Sequence, residues 1–277
     1  MPVIEARGVW FGYTRRAPVL RGVSLRAGPG EVVALAGPTG CGKSTLILVL
    51  AGLLRPSRGE VLLDGRPLHE QLPGARRRIG VLFQNPDDQL FNPTVYDEIA
   101  YALRSLGTPE DEVRARVEET TERLGLQGLL DRPPYRLSVG QRRLVALASI
   151  LVYNPDVLLL DEPTANLDRR GVEAIADAIR EAAEQGKTVV MASHDLDAIA
   201  ELSTRTCILR DGRAECMPTL EALREGLFEE TPLPLPLCIR LLRDRLGGWN
   251  KLAETIAKAR KAKAPGHCFS DTSALVR

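Results

Sequence analysis

A glycine-rich run followed by a lysine and two hydroxyl residues is the clearest chemical signal in the sequence. The run fits the pattern G-x-x-x-x-G-K-[ST] and consists of Gly37, Pro38, Thr39, Gly40, Cys41, Gly42, Lys43, Ser44 and Thr45. Such a loop directs successive backbone N–H groups at one phosphate, and the helix that follows adds partial positive charge. Lys43 can then reach the β- and γ-phosphates, while the Ser44 hydroxyl can ligate Mg²⁺. The run therefore predicts a site for the phosphates of a nucleotide.

A second chemical signal is a pair of carboxylates that follows an apolar run. Residues 157–160 read Val-Leu-Leu-Leu, and Asp161 and Glu162 come directly after them. Ligands of parallel α/β sheets lie at the carboxyl ends of the strands, so we expect both carboxylates beside the phosphate loop. Asp161 is then predicted to hold Mg²⁺, and Glu162 to act as a general base toward an attacking water.

The elements that must position these residues are apolar runs alternating with helical patterns. Continuous apolar runs, typical of strands buried on both faces, lie at 31–36, 156–160 and 187–192, with further strand candidates at 59–63 and 79–83. Helices are predicted at 46–54, at 110–124, and along the apolar stripe of Val172, Ile175, Ala176, Ile179 and Ala183. This alternation predicts a mainly parallel, doubly wound α/β core with flanking helices.

The N-terminal residues follow a different pattern. Residues 3–9 and 19–25 alternate between apolar and polar, as antiparallel strands with one solvent-facing side do. We expect 3–9 to form an edge strand, and we expect one face of the second strand to carry Val19, Arg21, Val23 and Leu25. The two strands predict an antiparallel β subdomain appended to the α/β core.

Composition and charge exclude several classes of protein. The chain has 277 residues, of which 44% are hydrophobic and 26% charged, as in ordinary globular proteins. Lys and Arg number 37 against 36 Asp and Glu, a net charge of +1 that gives no positive field for nucleic acid. No apolar run reaches the roughly 18 residues of a membrane span, and Glu5 and Arg7 interrupt the place of a signal peptide. We expect the protein to stay in the cytosol.

The C-terminal part differs in composition from the rest. Prolines at every second position of 231–236 predict an extended linker, 239–246 is a candidate helix, and the tail is basic from Lys251 and low in pattern after Ala264. We predict a main domain at 1–230 and a small appendage at 231–277. The five cysteines are scattered, which argues against a disulfide framework or a zinc site.

The ordered set of motifs resembles the nucleotide-binding subunit of an ATP-binding-cassette (ABC) transporter, from about residue 3 to residue 220. The resemblance implies a P-loop NTPase core, with the N-terminal β subdomain and a helical subdomain at about 84–150 that carries the signature motif. It implies that Tyr13 stacks on the adenine of ATP. Residues 137–141, Leu-Ser-Val-Gly-Gln, match the signature motif, which in this family contacts the ATP of a second subunit through Ser138, Gly140 and Gln141.

The same resemblance implies the catalytic set. Gln84 corresponds to the glutamine that senses the γ-phosphate and the membrane partner and that joins Ser44 and Asp161 around Mg²⁺. His194 corresponds to the switch histidine, and residues 166–168, Asn-Leu-Asp, to the loop that crosses the dimer interface. The resemblance therefore implies Lys43, Gln84, Glu162 and His194 as catalytic residues. It also implies that two subunits close head to tail over ATP.

A narrower resemblance concerns residues 83–91, Phe-Gln-Asn-Pro-Asp-Asp-Gln-Leu-Phe, followed by Thr94 and Val95. This segment is similar to the ATPases of energy-coupling factor (ECF) importers and their cobalt/nickel relatives. The resemblance implies a second ATPase subunit, identical or homologous, a scaffold transmembrane protein contacted through 84–106, and a small substrate-binding membrane protein. The chain would then lie at the cytoplasmic face of the membrane. The helix candidate with Val95, Ile99, Leu103 and Leu106 is expected to offer its apolar face to the scaffold.

Other readings of the ABC motifs remain open. An ATPase of another ABC transporter class is the nearest alternative, and a soluble ABC ATPase acting on nucleic acid or ribosomes is a further one. The single cassette, and the separation of only about a hundred residues between Gly37 and Ser138, disfavour the soluble classes. A GTPase is disfavoured because the chain has no Asn-Lys-x-Asp motif.

Val139 departs from the family pattern, which usually has glycine between the signature serine and glycine. If this position needed a positive φ, valine would be strained and the signature half-site weakened. The other possibility is an ordinary backbone conformation. We expect the ordinary conformation, since some members of the importer group are similar to this chain in carrying valine here.

Overall fold

The structure, a computed structural model, describes residues 3–14, 17–225 and 249–262, and of 259–262 only the backbone. The predictions for the linker at 231–236, the helix at 239–246, and the tail after Ala264 concern residues outside these ranges. In the ranges described, no helix combines the length and the apolar character that crossing a bilayer requires.

The elements alternate along the chain as the sequence predicts. The strands are β1 Ile4–Phe11, β2 Leu20–Ala27, β3 Val32–Ala36, β4 Arg58–Leu63, β5 Arg66–Pro67, β6 Ile79–Leu82, β7 Val157–Asp161, β8 Thr188–Ala192, β9 Arg205–Arg210 and β10 Arg213–Pro218. The helices are α1 Lys43–Leu50, α2 Leu68–Gln71, α3 Val95–Ser105, α4 Glu110–Arg123, α5 Val139–Leu151, α6 Arg169–Glu184, α7 Leu196–Leu202, α8 Thr219–Arg224 and, after the undescribed residues, α9 Trp249–Ala262.

A large, mainly parallel sheet forms the core. Its strand order is β10-β9-β3-β8-β7-β6, and only the β9–β10 pair is antiparallel. Every residue of β3, β7 and β8 is buried, because apolar side chains cover both faces of the sheet. Strand β8 lies between β3 and β7, so the residues that follow these three strands meet at one edge. The prediction of a parallel α/β core is confirmed.

The N-terminal strands form a separate antiparallel sheet, with the order β2-β1-β4-β5. The prediction that 3–9 lies at an edge is wrong, because β1 pairs with β2 on one side and with β4 on the other. The second partner of β1 is β4, which comes after α1 in the sequence. Alternation of apolar and polar residues indicates a strand, but it does not indicate which distant strand pairs with it.

The predicted inward face of β2 is also partly wrong. Val9 pairs with Val23 while the next residue, Trp10, pairs with Arg21, so Gly22 forms a bulge. A bulge shifts the alternation by one residue, which turns Leu20 into the core and Arg21 toward solvent. Val19 and Arg21 therefore do not share the buried face of Val23 and Leu25.

Two helix predictions need correction. The first helix was predicted at 46–54, but α1 starts at Lys43 and ends at Leu50. Gly52, two residues later, has a φ of 69°, which does not continue a helix. In α3, the side chains of Val95, Ile99 and Leu103 are fully buried in the chain's own core. Of the four-residue stripe that was expected to face a partner, Leu106 is exposed and the other three residues are used for folding.

Cysteine pairing is a further difference from the sequence-based expectation. Cys207 and Cys216 lie opposite each other on the antiparallel strands β9 and β10, with their Cα atoms 4.0 Å apart, and form a disulfide. Strand register brings them together, and the spacing of scattered cysteines does not indicate register.

Helix α9 packs on the main domain, against α8 and α7. Its Leu252, Ala253 and Ile256 are buried in the same apolar cluster as Ala222 and Leu223 of α8. This part of the predicted appendage is thus attached through apolar contacts, while Lys251 and Lys258 lie on the same helix.

Candidate active site

The phosphate loop connects the end of β3 to the start of α1. Gly37 has φ 145°, and a Cβ there would lie 2.5 Å from the carbonyl oxygen of Leu209, so only glycine fits. The Lys43 side chain is buried, and its Nζ donates to the carbonyls of Gly37 (2.7 Å) and Pro38 (3.2 Å). An ammonium has three N–H donors, so the lysine sits across the loop with a donor left for a phosphate oxygen.

Asp161 and Ser44 form the predicted metal-binding pair. Asp161 is the last residue of β7, is buried, and lies beside the Ser44 hydroxyl. Burial raises the pKa of Asp161, and the nearby Glu162 carboxylate raises it further, while Ser44 and Lys43 oppose the rise. Its Oδ1 is buried without a hydrogen-bond partner among the described residues. An orphaned carboxylate oxygen beside a hydroxyl is the oxygen donor set that suits Mg²⁺.

Glu162 and His194 are in direct contact. His194 Nδ1 lies 2.8 Å from Glu162 Oε2, and a carboxylate can only accept, so the imidazole donates from Nδ1. Glu162 is 9% exposed and His194 53% exposed, so the histidine forms the outer wall of the pair. The strand pairing explains this contact. Asp161 pairs with Ala192 across β7 and β8, so Glu162 and His194, which follow these residues, emerge from adjacent strand ends.

A cleft of about 740 Å³ opens on this pair. It is lined by Gln84, Glu162 and His194 together with Val139 and Arg143 of α5. The exposed Gln84 follows β6, so the structure brings the predicted γ-phosphate sensor, base and switch residue around one space. The loop residues Lys43 and Ser44 do not line this cleft. They lie near Asp161, which immediately precedes the cleft residue Glu162 in the chain.

The predicted signature motif forms the N-terminus of α5. Ser138 caps the helix by accepting from the backbone N–H of Gln141 (3.2 Å), and the Gln141 side chain accepts from the Ser138 N–H (3.0 Å). The cap occupies the Gln141 N–H, but Ser138 and Val139 are exposed, so the remaining first-turn N–H groups of this helix N-terminus suit an anion. Val139 is the first residue of the helix and has a helical backbone, so the expectation of an ordinary conformation there is confirmed.

Gly140 is packed closely against the predicted interface loop. A Cβ at Gly140 would lie 3.3 Å from the carbonyl oxygen of Asn166 and 3.2 Å from a Leu167 side-chain carbon. Asp168 caps the next helix, α6, by accepting from Gly171 N–H (2.8 Å). The signature and the loop at 166–168 thus form one surface of this chain.

Tyr13 stands apart from the predicted catalytic residues, beside the phosphate loop. Its ring is 64% exposed and contacts Phe11 edge-on, and its hydroxyl lies 3.3 Å from Thr45 Oγ1 on α1. An exposed aromatic face held next to a phosphate site is suited to stacking on a base. Its role with adenine stays a prediction.

Arg143 is a residue of the site that sequence reasoning missed. It is 2% exposed, and its guanidinium donates to the carbonyl oxygens of Gln84 and Glu162. Burial lowers its pKa, and the carboxylates of Glu162 and Asp161 counteract this effect. In the sequence it is one of two adjacent arginines in a helix, and no pattern distinguishes the buried one from its neighbour Arg142.

Comparison with known proteins places these residues in a family context. Residues 20–165 match the family model described as ABC transporter. The chain is 41% identical over 254 residues to the energy-coupling factor transporter ATP-binding protein EcfA of Methanothermobacter thermautotrophicus, covering 89% of this chain and 81% of that protein. It is 39% identical over 216 residues to the protein of the same name from Methanocaldococcus jannaschii, covering 77% of each.

A solved structure with the same fold is that of cbiO1 from Clostridium perfringens, described as part of the ABC transporter complex cbiONQ. The two share 34% sequence identity and a TM-score of 0.72, over 86% of this chain and 98% of that one. Sequence and fold therefore agree over most of the described chain.

Proposed function

Because this chain belongs to the ABC transporter family of ATP-binding proteins, we propose that it hydrolyses ATP to drive a membrane importer of the energy-coupling factor type. The observation that carries the enzymatic part is the contact between Glu162 and His194, next to Asp161 and the phosphate loop. The similarity to the EcfA proteins along most of the chain supports the importer class.

The proposed chemistry follows from these positions. Lys43 and the loop N–H groups bind the β- and γ-phosphates of ATP, and Tyr13 stacks on the adenine. Mg²⁺, held by Ser44, Asp161 and Gln84, would supply positive charge to the phosphate oxygens. The Glu162 carboxylate accepts the proton of the attacking water, while the N–H at His194 Nδ1 hydrogen-bonds Glu162 Oε2 and keeps the carboxylate oriented.

A second ATPase subunit completes each site in this proposal. The exposed N-terminus of α5, with Ser138, Gly140 and Gln141, would contact the γ-phosphate of ATP bound to that partner. Closure excludes water from the phosphates, and hydrolysis removes the γ-phosphate that joins the two subunits. The partner is an identical or a homologous chain, and no nucleic acid is involved.

An exposed aromatic pair supports the proposed contact with a scaffold membrane protein. Phe91 and Tyr101 are 68% and 49% exposed, and their rings meet edge-on with centroids 4.9 Å apart. Both belong to segment 84–106, which begins at Gln84 in the catalytic cleft. We propose that this pair, rather than the buried stripe of α3, contacts the scaffold, and that the chain lies peripherally at the cytoplasmic face of the membrane.

Co-purification tests this function. The chain is expressed with the membrane proteins encoded beside it, extracted in detergent, and the bound proteins are identified by mass. We expect a scaffold protein and a small substrate-binding membrane protein to remain bound, and ATPase activity to depend on Glu162. Phe91→Ser and Tyr101→Ser should reduce recovery, whereas Leu53→Ser, which also alters an exposed apolar residue, should not.

The opposite outcome would favour another class. If no membrane protein is recovered and ribosomes or nucleic acid stimulate the ATPase, the transporter assignment is wrong while the ATP site stands. Recovery of a membrane protein without a separate substrate-binding protein would favour another ABC transporter class.

A further inference from the structure

The buried side chain of Arg143 joins three parts of the proposed site. Its Nη1 donates to the Glu162 carbonyl at 2.5 Å, and its Nη2 donates to the Gln84 carbonyl at 2.6 Å. Arg143 itself lies on α5, five residues after the signature Ser138. One rigid, planar group therefore connects the signature helix to the loop after β6 and to the residue after β7.

The backbone of Glu162 needs such support. Its φ is 51°, a left-handed conformation that costs a non-glycine residue about 1–2 kcal/mol. Such conformations persist only where the surroundings fix them. The Glu162 N–H donates to the Ala192 carbonyl (2.9 Å), and the Glu162 carbonyl accepts from the Arg143 guanidinium (2.5 Å) and from the Ala165 N–H (3.2 Å), so both backbone groups are held. The same backbone directs the carboxylate toward His194.

Gln84 depends on Arg143 in a similar way. The side chain is exposed in the cleft, and the carbonyl of the same residue is held by the guanidinium. Because both carbonyls accept from one guanidinium, a displacement of α5 alters the positions of Gln84 and Glu162 together. Lysine offers a single nitrogen, which cannot reproduce two donors in a fixed fork.

We propose that Arg143 is a positioning residue that sets Gln84 and Glu162 for hydrolysis and couples both of them to the signature helix. The inference rests on the proposed function, since it concerns the same ATP site. It assigns Arg143 no contact with ATP, so the substitution should change turnover and leave ATP binding nearly unaltered.

Steady-state and binding measurements on the full chain with its partner subunits test the proposal. Arg143→Met should lower kcat by about tenfold to a hundredfold, because small displacements of catalytic groups have effects of that size. Its Kd for ATP should stay within about twofold of wild type. Arg143→Lys should have an intermediate kcat and the same Kd. Arg116→Met replaces an exposed arginine of α4 and should match wild type in both measurements.

A double variant separates positioning from general packing. If Arg143 acts through Glu162, adding Arg143→Met to Glu162→Gln should lower kcat by no more than about twofold further, since residues that act as a unit are non-additive. A fully additive loss would contradict a shared role. Unchanged kcat in Arg143→Met, or equal losses of ATP affinity and kcat in both Arg143 variants, would overturn the proposal.

The outcomes distinguish this inference from the proposed function. If wild type hydrolyses ATP and the Arg143 variants behave as wild type, only the positioning role fails. If wild type shows no hydrolysis with its partners, the proposed function fails and the inference with it. If Arg143→Met does not fold, Arg143→Lys retains the charge and supplies the same kcat and Kd comparison.

Discussion

At the scale of the residue, the site consists of pairs from distant parts of the sequence. The sequence alone predicts Lys43, Asp161 and Glu162 from their motifs, and the family resemblance adds His194. Neither source predicts that His194 hydrogen-bonds Glu162, or that the Ser44 hydroxyl lies beside Asp161. These contacts depend on β8 lying between β3 and β7, and strand order is not encoded in local patterns.

The first prediction concerns Lys43. Lys43→Ala removes a charged donor from the centre of the phosphate loop, and hydrogen bonds to charged groups contribute about 1.5–3 kcal/mol. ATP affinity measured by calorimetry should therefore fall by at least about tenfold. Lys251→Ala alters an exposed lysine of α9 and should bind ATP as wild type does. Unchanged affinity in Lys43→Ala would remove this lysine from the phosphate site.

At the scale of the element, helix starts and strand registers decide where residue patterns succeed. Buried runs correctly predict β3, β7 and β8, because both faces of these strands are covered. The pattern fails at β2, where the bulge at Gly22 shifts the alternation. It also fails at α3, because an apolar stripe indicates a covered face but does not indicate whether the chain's own core or another protein covers it. Register also explains why the Cys207–Cys216 bond was not expected.

A second prediction concerns the first residue of α5. Val139 has a helical backbone and is 43% exposed, so Val139→Gly removes no core side chain. We expect a stability loss of at most about 1 kcal/mol in denaturant unfolding. The kcat for ATP hydrolysis should stay within about threefold of wild type. This limit corresponds to a change in the activation free energy well below the roughly 1.4 kcal/mol that alters a rate tenfold. A tenfold rise in kcat would instead mean that valine weakens the signature half-site.

The third prediction uses the tight contact at Gly140. Gly140→Ala places a Cβ 3.3 Å from the Asn166 carbonyl oxygen, so the signature and the interface loop must separate. We expect lower kcat with ATP affinity retained, measured by turnover and calorimetry. Gly128→Ala is the matched control, because a Cβ there meets nothing within 4 Å. Full activity in Gly140→Ala would show that this contact is not needed for closure.

At the scale of the whole molecule, two sheets and a set of helices bring the phosphate loop, the proposed catalytic pair Glu162 and His194, and the predicted signature to connected surfaces. The parallel sheet fixes Lys43, Asp161 and His194 near adjacent strand ends, and α5 carries Ser138 and Arg143 on one rigid element. The fold class was predictable because buried runs and helical stripes alternate. The second subunit and the membrane partners are implied by the family resemblance. The sequence of one chain contains the residues on only one side of each proposed contact.

The fate of ATP bound to Glu162→Gln tests the central claim most directly. The chain is purified with its partner subunits, mixed with ATP and Mg²⁺, and the nucleotide that remains bound after gel filtration is identified. If Glu162 is the base, each copy of the variant should retain one unhydrolysed ATP in a closed pair of ATPase subunits, whereas wild type should release ADP. Release of ADP by the variant at the wild-type rate would contradict the account.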